Sequence, residues 1–425
     1  MKPTVLLATT VTWVPTARLA MALNKAGCSV EAVCPPQHPL IKTDAVGQTH
    51  TYHGLMPLKS FKAAIVAANP DLIVPGDDLA TWHFHDLYRS ELSQRKKGAA
   101  ICALIERSLG PAESFPVVFA RSAFIEAARQ EGVRVPRTAV IKNTDDVKNH
   151  ARNLGFPLVL KANGTSGGDG VRITRTIEEA EREFRTLQAP PRFARAAKRA
   201  VVDHDTTLFW PSLRRRRFVV NAQTFVAGHE ATSTIFCWQG SVLAALHFEV
   251  INKMHSAGHA AVLRLIDQPE MSVAAEKMVR RLNLSGIYGF DFMLEAHTEN
   301  AYLIEINART TQVGHLALGA GRDLPAALYA ALSGDRAPAT PKVTENHTIA
   351  LFPQEWTRDP ASEFLRSGYH DVPWEAPALV GECIRKSQTQ RDWYTKQKPS
   401  IVRSPSLPSA ARSEHRAVEL DCQAK

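Results

Sequence analysis

With 425 residues, 44% of them apolar and 22% charged, the chain has the make-up of a water-soluble globular protein, long enough for roughly two or three domains. No apolar run approaches the ~18 residues of a spanning helix, which argues against a membrane protein. Six scattered cysteines without a C-x-x-C pair argue against a disulfide framework or a cysteine zinc site, while the formal charge of +9 leaves an anionic partner open.

The opening residues, MKPTVLLATTVTWVP, are interrupted by threonines and Pro15, so they read as a first strand rather than a signal peptide, and the expected location is cytoplasmic. Residues 4–9 form that strand, 16–27 an amphipathic helix closed by Gly27, 29–35 a second strand, 60–70 a helix and 71–76 a third strand. This alternation predicts a parallel sheet flanked by helices over residues 1–118. The G-x-G-x-x-G fingerprint of dinucleotide binding is missing after the first strand. TTVTW (9–13) and PGDD (75–78) nevertheless fall at the carboxyl edge of the sheet, where such folds bind ligands. A helix at 122–132, capped by Ser122, then leads to an α+β unit over about 138–190, whose first helix Thr144 is expected to cap. Strands follow through 217–251, then a helix at 271–283 and two strands ending at Asn307. The basic runs at 192–200 and 214–217 read as solvated segments more readily than as a nucleic-acid surface, because aromatic residues are not interleaved with them. Residues 336–398 read as a C-terminal subdomain and 399–425 as a disordered tail.

Two stretches carry chemistry. In FPLVLKANGTSGGDGV an apolar strand ends in Lys161 and runs into a loop containing Gly167, Gly168 and Gly170. A solvated lysine before an ordinary turn would account for it. So would a phosphate site, in which glycine lets backbone N–H groups approach oxygens and the ammonium supplies counter-charge. The lysine precedes its glycines, unlike a P-loop, and neither H-R-D nor D-F-G is present, unlike a protein kinase. The second stretch, GIYGFDFMLEAHTENAYLIEINAR, reads as a hairpin. Pairing Leu294 with Tyr302 sets Asp291 opposite Glu305, with Asn307 on the face of Glu305 and Phe290, Phe292, Ile304 and Ile306 on the other. Two carboxylates so placed repel unless they face solvent or share a cation, and an all-oxygen set of this kind suits Mg²⁺.

At these residues the chain resembles the ATP-grasp superfamily, which includes biotin carboxylase and D-alanine–D-alanine ligase. The resemblance covers roughly residues 1–335: a parallel α/β domain, then a two-lobed ATP-grasp domain at 119–335 with its flexible glycine-loop lobe at about 138–226. It implies that Lys161, with Gly167, Gly168 and Gly170, lies over ATP phosphates, that Asp291, Glu305 and Asn307 hold Mg²⁺ (or Mn²⁺), and that Arg309 holds the reacting carboxylate or acyl-phosphate. It further implies an adenine-binding hinge at Gln223, Thr224, Phe225 and Val226, with Glu230 on the ribose. Two positions depart from the family pattern. Gln223 replaces an acid, and Arg121 replaces a phosphate-contacting lysine, which exchanges a point charge for a rigid fork. Arg264, His255, His259 and His315 are candidates for substrate contact. The activity implied is an ADP-forming ligase that activates a small carboxylate, most simply an amino acid, and joins it to an amine. A bicarbonate-using carboxylase of the purine-biosynthetic kind and a non-catalytic ATP-binding regulator remain alternatives. The expected partners are small-molecule carboxylate and amine substrates, with no membrane and no nucleic acid expected and a homo-oligomer compatible.

Overall fold

Short apolar runs bounded by turn residues build the first sheet. The computed structural model describes residues 2–163, 170–190, 212–213, 217–255, 258–338 and 340–397. Strands β1 (Thr4–Ala8), β2 (Ser29–Cys34), β3 (Gln48–Thr51) and β4 (Leu72–Pro75) lie parallel in the order β3-β2-β1-β4. Val5, Leu6, Leu7 and Ala8 are all fully buried, as expected of a strand covered on both faces. The expected helices appear as Val14–Lys25 and Pro57–Ala68. Strand β3 and the helices Asp78–Leu92 and Ala99–Leu109 were not anticipated. The first of these helices buries His85 and Glu91 beside Phe84 and Leu87, so its buried face is not an apolar stripe in the sequence.

The second unit is an antiparallel sheet of β5 (Thr138–Ile141), β6 (Leu158–Ala162), β7 (Val171–Thr174) and β8 (Val220–Thr224), in the order β5-β8-β6-β7. Helices Thr144–Leu154 and Ile177–Gln188 bury Val147, Ala151, Ala180 and Phe184 against Leu158, Leu160, Val220 and Ala222. Strand alternation therefore turns Val159, Lys161, Asn221 and Gln223 to the other face. Two caps differ from expectation. Asn143, not Thr144, caps its helix by accepting a hydrogen bond from the Asp146 N–H at 2.9 Å. The helix Arg121–Gln130 follows Ala120 without a side-chain cap, so Ser122 lies inside it.

The third sheet has seven strands: β9 (Gly228–Trp238), β10 (Ser241–Lys253), β11 (Ala260–Leu265), β12 (Gly286–Glu295), β13 (Ala301–Asn307), β14 (Thr348–Leu351) and β15 (Tyr369–Asp371). Their order is β13-β12-β9-β10-β11-β14-β15. The segment expected as a C-terminal subdomain thus supplies two strands of the sheet that carries the carboxylate hairpin. Helix Pro269–Leu282 presents Met271, Ala274, Ala275, Met278, Val279 and Leu282 at helical spacing. With Phe124, Ile125 and Ala128 it covers Phe290, Phe292, Leu294 and Leu303 on the back of the hairpin. Each buried phenylalanine contributes roughly 2 kcal/mol by leaving water, and that burial fixes which face of β12 and β13 points away from the core.

The hairpin register contains a correction. Asp291 faces Glu305 as expected, but Leu294 pairs with Ala301 and Met293 with Tyr302, because the ladder shifts by one residue between Asp291 and Phe292. The extra residue of this β-bulge puts the fully buried Leu303 in the core place expected for Ile304, which is only half-buried. Among the described residues no helix is long and apolar enough to cross a membrane. The basic run at 192–200, most of the run at 214–217 and the tail from 399 lie outside the described residues.

Candidate functional site

Asp291, in the middle of β12, is flanked by strands on both sides. Its Oδ1 accepts from the Thr232 hydroxyl at 2.9 Å and its Oδ2 from the Asn307 amide at 2.9 Å. Burial and then the facing Glu305 push its pKa up to about 6, against the opposing pull of Asn307, Thr232 and Arg309. Glu305 accepts from Arg121 Nη2 at 2.7 Å, and Arg121 Nη1 reaches the Ala162 carbonyl at 3.1 Å. Arg121 therefore ties the end of β6 to the hairpin, and its buried Nε has no hydrogen-bond partner among the described residues.

Lys161 is the penultimate residue of β6 and only 6% exposed. Burial lowers its pKa to about 8, with Arg121 acting in the same direction and Glu305, Asp291 and Glu230 opposing. Just beyond it the Ala162 N–H donates to the Gly170 carbonyl at 2.9 Å, which closes the base of the glycine loop. Gly167 and Gly168 lie outside the described residues.

Arg309 follows β13. Its Nη2 donates to Asn307 Oδ1 at 3.2 Å, its Nη1 to the Thr310 carbonyl at 3.0 Å, and its Nε lies 3.2 Å from Asp78 Oδ2. Its guanidinium carbon sits 5.5 Å from the centre of the Trp13 ring. Burial works against its charge, but Asp78, Asp291 and Asp77 outweigh it and hold the group cationic. The carboxyl edge of the first sheet is docked here by two further bonds: Thr81 Oγ1 to the Ala308 carbonyl at 2.5 Å and the Thr310 N–H to the Pro75 carbonyl at 3.0 Å.

Six of the residues singled out in the sequence thus come together: Arg121, Lys161, Asp291, Glu305, Asn307 and Arg309. The donor set of two carboxylates and a carboxamide suits a hard cation such as Mg²⁺, which leaves most of its shell to water and phosphate. The opposed carboxylates, one of them with a raised pKa, are what such an ion would relieve. Arg121 and Lys161 stand beside them as two cations.

The segment Gln223–Val226 spans the end of β8 and the start of the crossover to β9. Gln223 is buried and donates to Thr138 Oγ1 at 3.0 Å, whereas Phe225 is 38% exposed. Glu230, two residues into β9 beyond Gly228, accepts from Lys253 Nζ at 2.6 Å. Gly228 is tightly constrained, because a Cβ there would lie 1.8 Å from the Leu294 carbonyl oxygen.

The substrate candidates divide. His255 and His259 flank a turn in which the Met254 N–H donates to the His259 carbonyl at 2.9 Å. His259 is exposed, and its pKa is lowered by desolvation first and then by Arg309 and His255. Arg264 has its anion within the sheet: its cross-strand neighbour Glu249 accepts at 3.0 Å from Nε and lies 2.9 Å from Nη2. His315 has a side chain only 7% exposed, with Nε2 2.8 Å from Asp371 Oδ2. Both have internal partners and neither joins the cluster. Thr232, Trp13 and Asp78 were not singled out, although Trp13 and Asp78 belong to the two loops that the sequence placed at the carboxyl edge.

Residues 120–320 match the family model of the carbamoyl-phosphate synthase L chain ATP-binding domain. A phosphoribosylamine–glycine ligase of Xylella fastidiosa is 34% identical over 74 residues, a match spanning 17% of this chain and 17% of that relative's length. Among solved structures, a carboxyaminoimidazole ribonucleotide synthase from Aspergillus clavatus, complexed with ATP, superposes with a TM-score of 0.55 at 13% identity, covering 80% of this chain and 78% of that one. The biotin carboxylase domain of the 2-oxoglutarate carboxylase of Hydrogenobacter thermophilus, in complex with MgADP, ADP and bicarbonate, gives 0.53 at 15% identity, covering 79% and 71%. The three-sheet architecture, the matched domain and these structural neighbours agree: the chain has an ATP-grasp fold.

Proposed function

We propose that the protein is an ATP- and Mg²⁺-dependent, ADP-forming ligase that activates a small carboxylate as an acyl-phosphate and joins it to an amine. The observation that carries this reading is the facing pair Asp291 and Glu305, bordered by Arg121, Lys161 and Arg309. ATP supplies the phosphoryl group that turns the substrate carboxylate into a displaceable mixed anhydride, and Mg²⁺ supplies charge for the phosphate oxygens. Asp291, Glu305 and Asn307 would hold the ion, and Lys161 and Arg121 would bind phosphate oxygens. Such a transfer needs positioning and charge neutralisation rather than a protein nucleophile. Arg121, now bonded to Glu305, would exchange part of that contact for phosphate, its Nε, unpartnered among the described residues, being a ready donor. Arg309 would hold the substrate carboxylate, then the acyl oxygen as the amine displaces phosphate.

Hydroxylamine trapping tests the reading. Protein, ATP and Mg²⁺ are incubated with pooled small carboxylates, and hydroxamate and ADP are measured. The intact protein is expected to form hydroxamate, and Lys161→Ala to form at least about a hundredfold less, the scale of a lost charge-stabilising group. ADP release with bicarbonate alone would replace the ligase reading by the carboxylase one. Bound ATP without turnover on any acid would replace it by the regulatory one.

A further inference from the structure

Asp78 has no task in the reaction as just described, yet it is bonded to the arginine expected to receive the substrate. It opens the helix Asp78–Leu92 at the carboxyl edge of the parallel sheet, with a side chain 43% exposed and Oδ2 3.2 Å from Arg309 Nε. Among the described residues no other donor bonds to this carboxylate. Its neighbour Asp77 differs in every respect. Asp77 is buried and accepts from the Thr9 hydroxyl, from the Thr10 N–H and hydroxyl, and from the Ala80 N–H, so its oxygens are used up in holding the two loops together. Asp77 is structural, and Asp78 is available.

Charge arithmetic narrows what the pair can accept. A carboxylate arriving at Arg309 finds another carboxylate already there, and a simple acid would bring two like charges onto one guanidinium. An α-amino acid avoids this, because its ammonium sits one carbon away from its carboxylate. Its negative end can take Arg309 while its positive end takes Asp78, leaving every charge with an opposite neighbour. The Trp13 ring, 5.5 Å from the guanidinium carbon, steadies the arginine from one side and provides an apolar wall.

We propose that Asp78 and Arg309 form a zwitterion clamp, with Asp78 accepting from the α-ammonium of an amino-acid substrate whose carboxylate is the group activated. This inference rests on the ligase reading and names the substrate class that it leaves open. Asp78 is a specificity-determining residue.

The test compares each amino acid with its des-amino counterpart: glycine with acetate, alanine with propionate, glutamate with glutarate, phenylalanine with 3-phenylpropanoate. ADP release and hydroxamate are measured for the wild-type protein, Asp78→Asn and Asp78→Glu, with thermal melting confirming that each variant is folded. The wild type is expected to favour the amino acid in kcat/KM by roughly thirtyfold or more, the scale of one hydrogen-bonded charge pair. Asp78→Asn should collapse that ratio to within about threefold, and Asp78→Glu should restore part of it. A residue that merely positions Arg309 would lower both members of each pair equally, so an unchanged ratio in Asp78→Asn overturns the clamp. Wild-type turnover that does not discriminate between the partners also overturns the clamp and leaves the ligase reading intact. ADP formation from no carboxylate overturns both.

Discussion

Lys161 sits where its charge is negotiable. Burial and Arg121 bring its pKa down to about 8, so above that pH the free protein has largely lost the ammonium. Bound polyphosphate would favour the charged form, and nucleotide binding would then take up a proton. The sign follows: a group more basic in the complex than in the free protein favours binding fully below its free pKa, and loses that contribution as pH rises past it. The dissociation constant for MgATP, measured by calorimetry, is expected to stay flat up to about pH 7 and to weaken by up to about tenfold per unit above pH 8. Lys161→Arg, which stays charged throughout, should bind more weakly but with no such slope. An identical slope in both proteins would remove Lys161 from the phosphate contact.

At the level of elements, the helix Thr144–Leu154 gives a direct test of a local correction. Asn143→Ala is expected to cost about 1 kcal/mol, the usual worth of a side-chain cap, while Thr144→Ala should be nearly neutral in the same thermal or urea melts. The sequence NTDD offers two good capping residues in succession, and only the backbone decides between them. Other elements divide along the same line. Strands β1, β2, β4 and β6 and the two hairpin strands were legible because their apolar runs are bounded by turn residues. The helix Asp78–Leu92 was not, because His85 and Glu91 stand on its buried face. The bulge at Ile304 leaves no mark in composition, and the opposition of Asp291 and Glu305 came out right because the bulge offsets the one-residue error of pairing Leu294 with Tyr302. Asp78 was legible as part of a loop at a ligand-binding edge. Its pairing with Arg309 was not, since that depends on how two sheets meet.

At the scale of the whole molecule, Arg18 and Asp371 join the first helix to the last strand of the large sheet. Nη2 lies 2.6 Å from Oδ1 and Nη1 2.7 Å from the Asp371 carbonyl, both side chains are buried, and His315 bonds to the other carboxylate oxygen. Burial alone would raise the pKa of Asp371, but Arg18 and His315 pull it below the ordinary value. A carboxyl more acidic when folded adds stability above its unfolded pKa and loses it as pH falls through the folded one. Asp371→Asn, which leaves Arg18 buried and unpaired, is expected to lower unfolding stability by about 3 kcal/mol at pH 7, with the difference shrinking in acid. Equal urea midpoints for the two proteins at pH 7 would show that the pair is not needed. No reading of the sequence could have matched these partners, which stand 353 positions apart. That separation also orders events during synthesis. Arg18 leaves the ribosome long before its aspartate is made, so a nascent chain carries a hydrated cation on a surface destined for the interior. Only a chain translated past residue 371 can pair that cation with its carboxylate, so the first helix gains its buried partner only once the last strand of the large sheet exists.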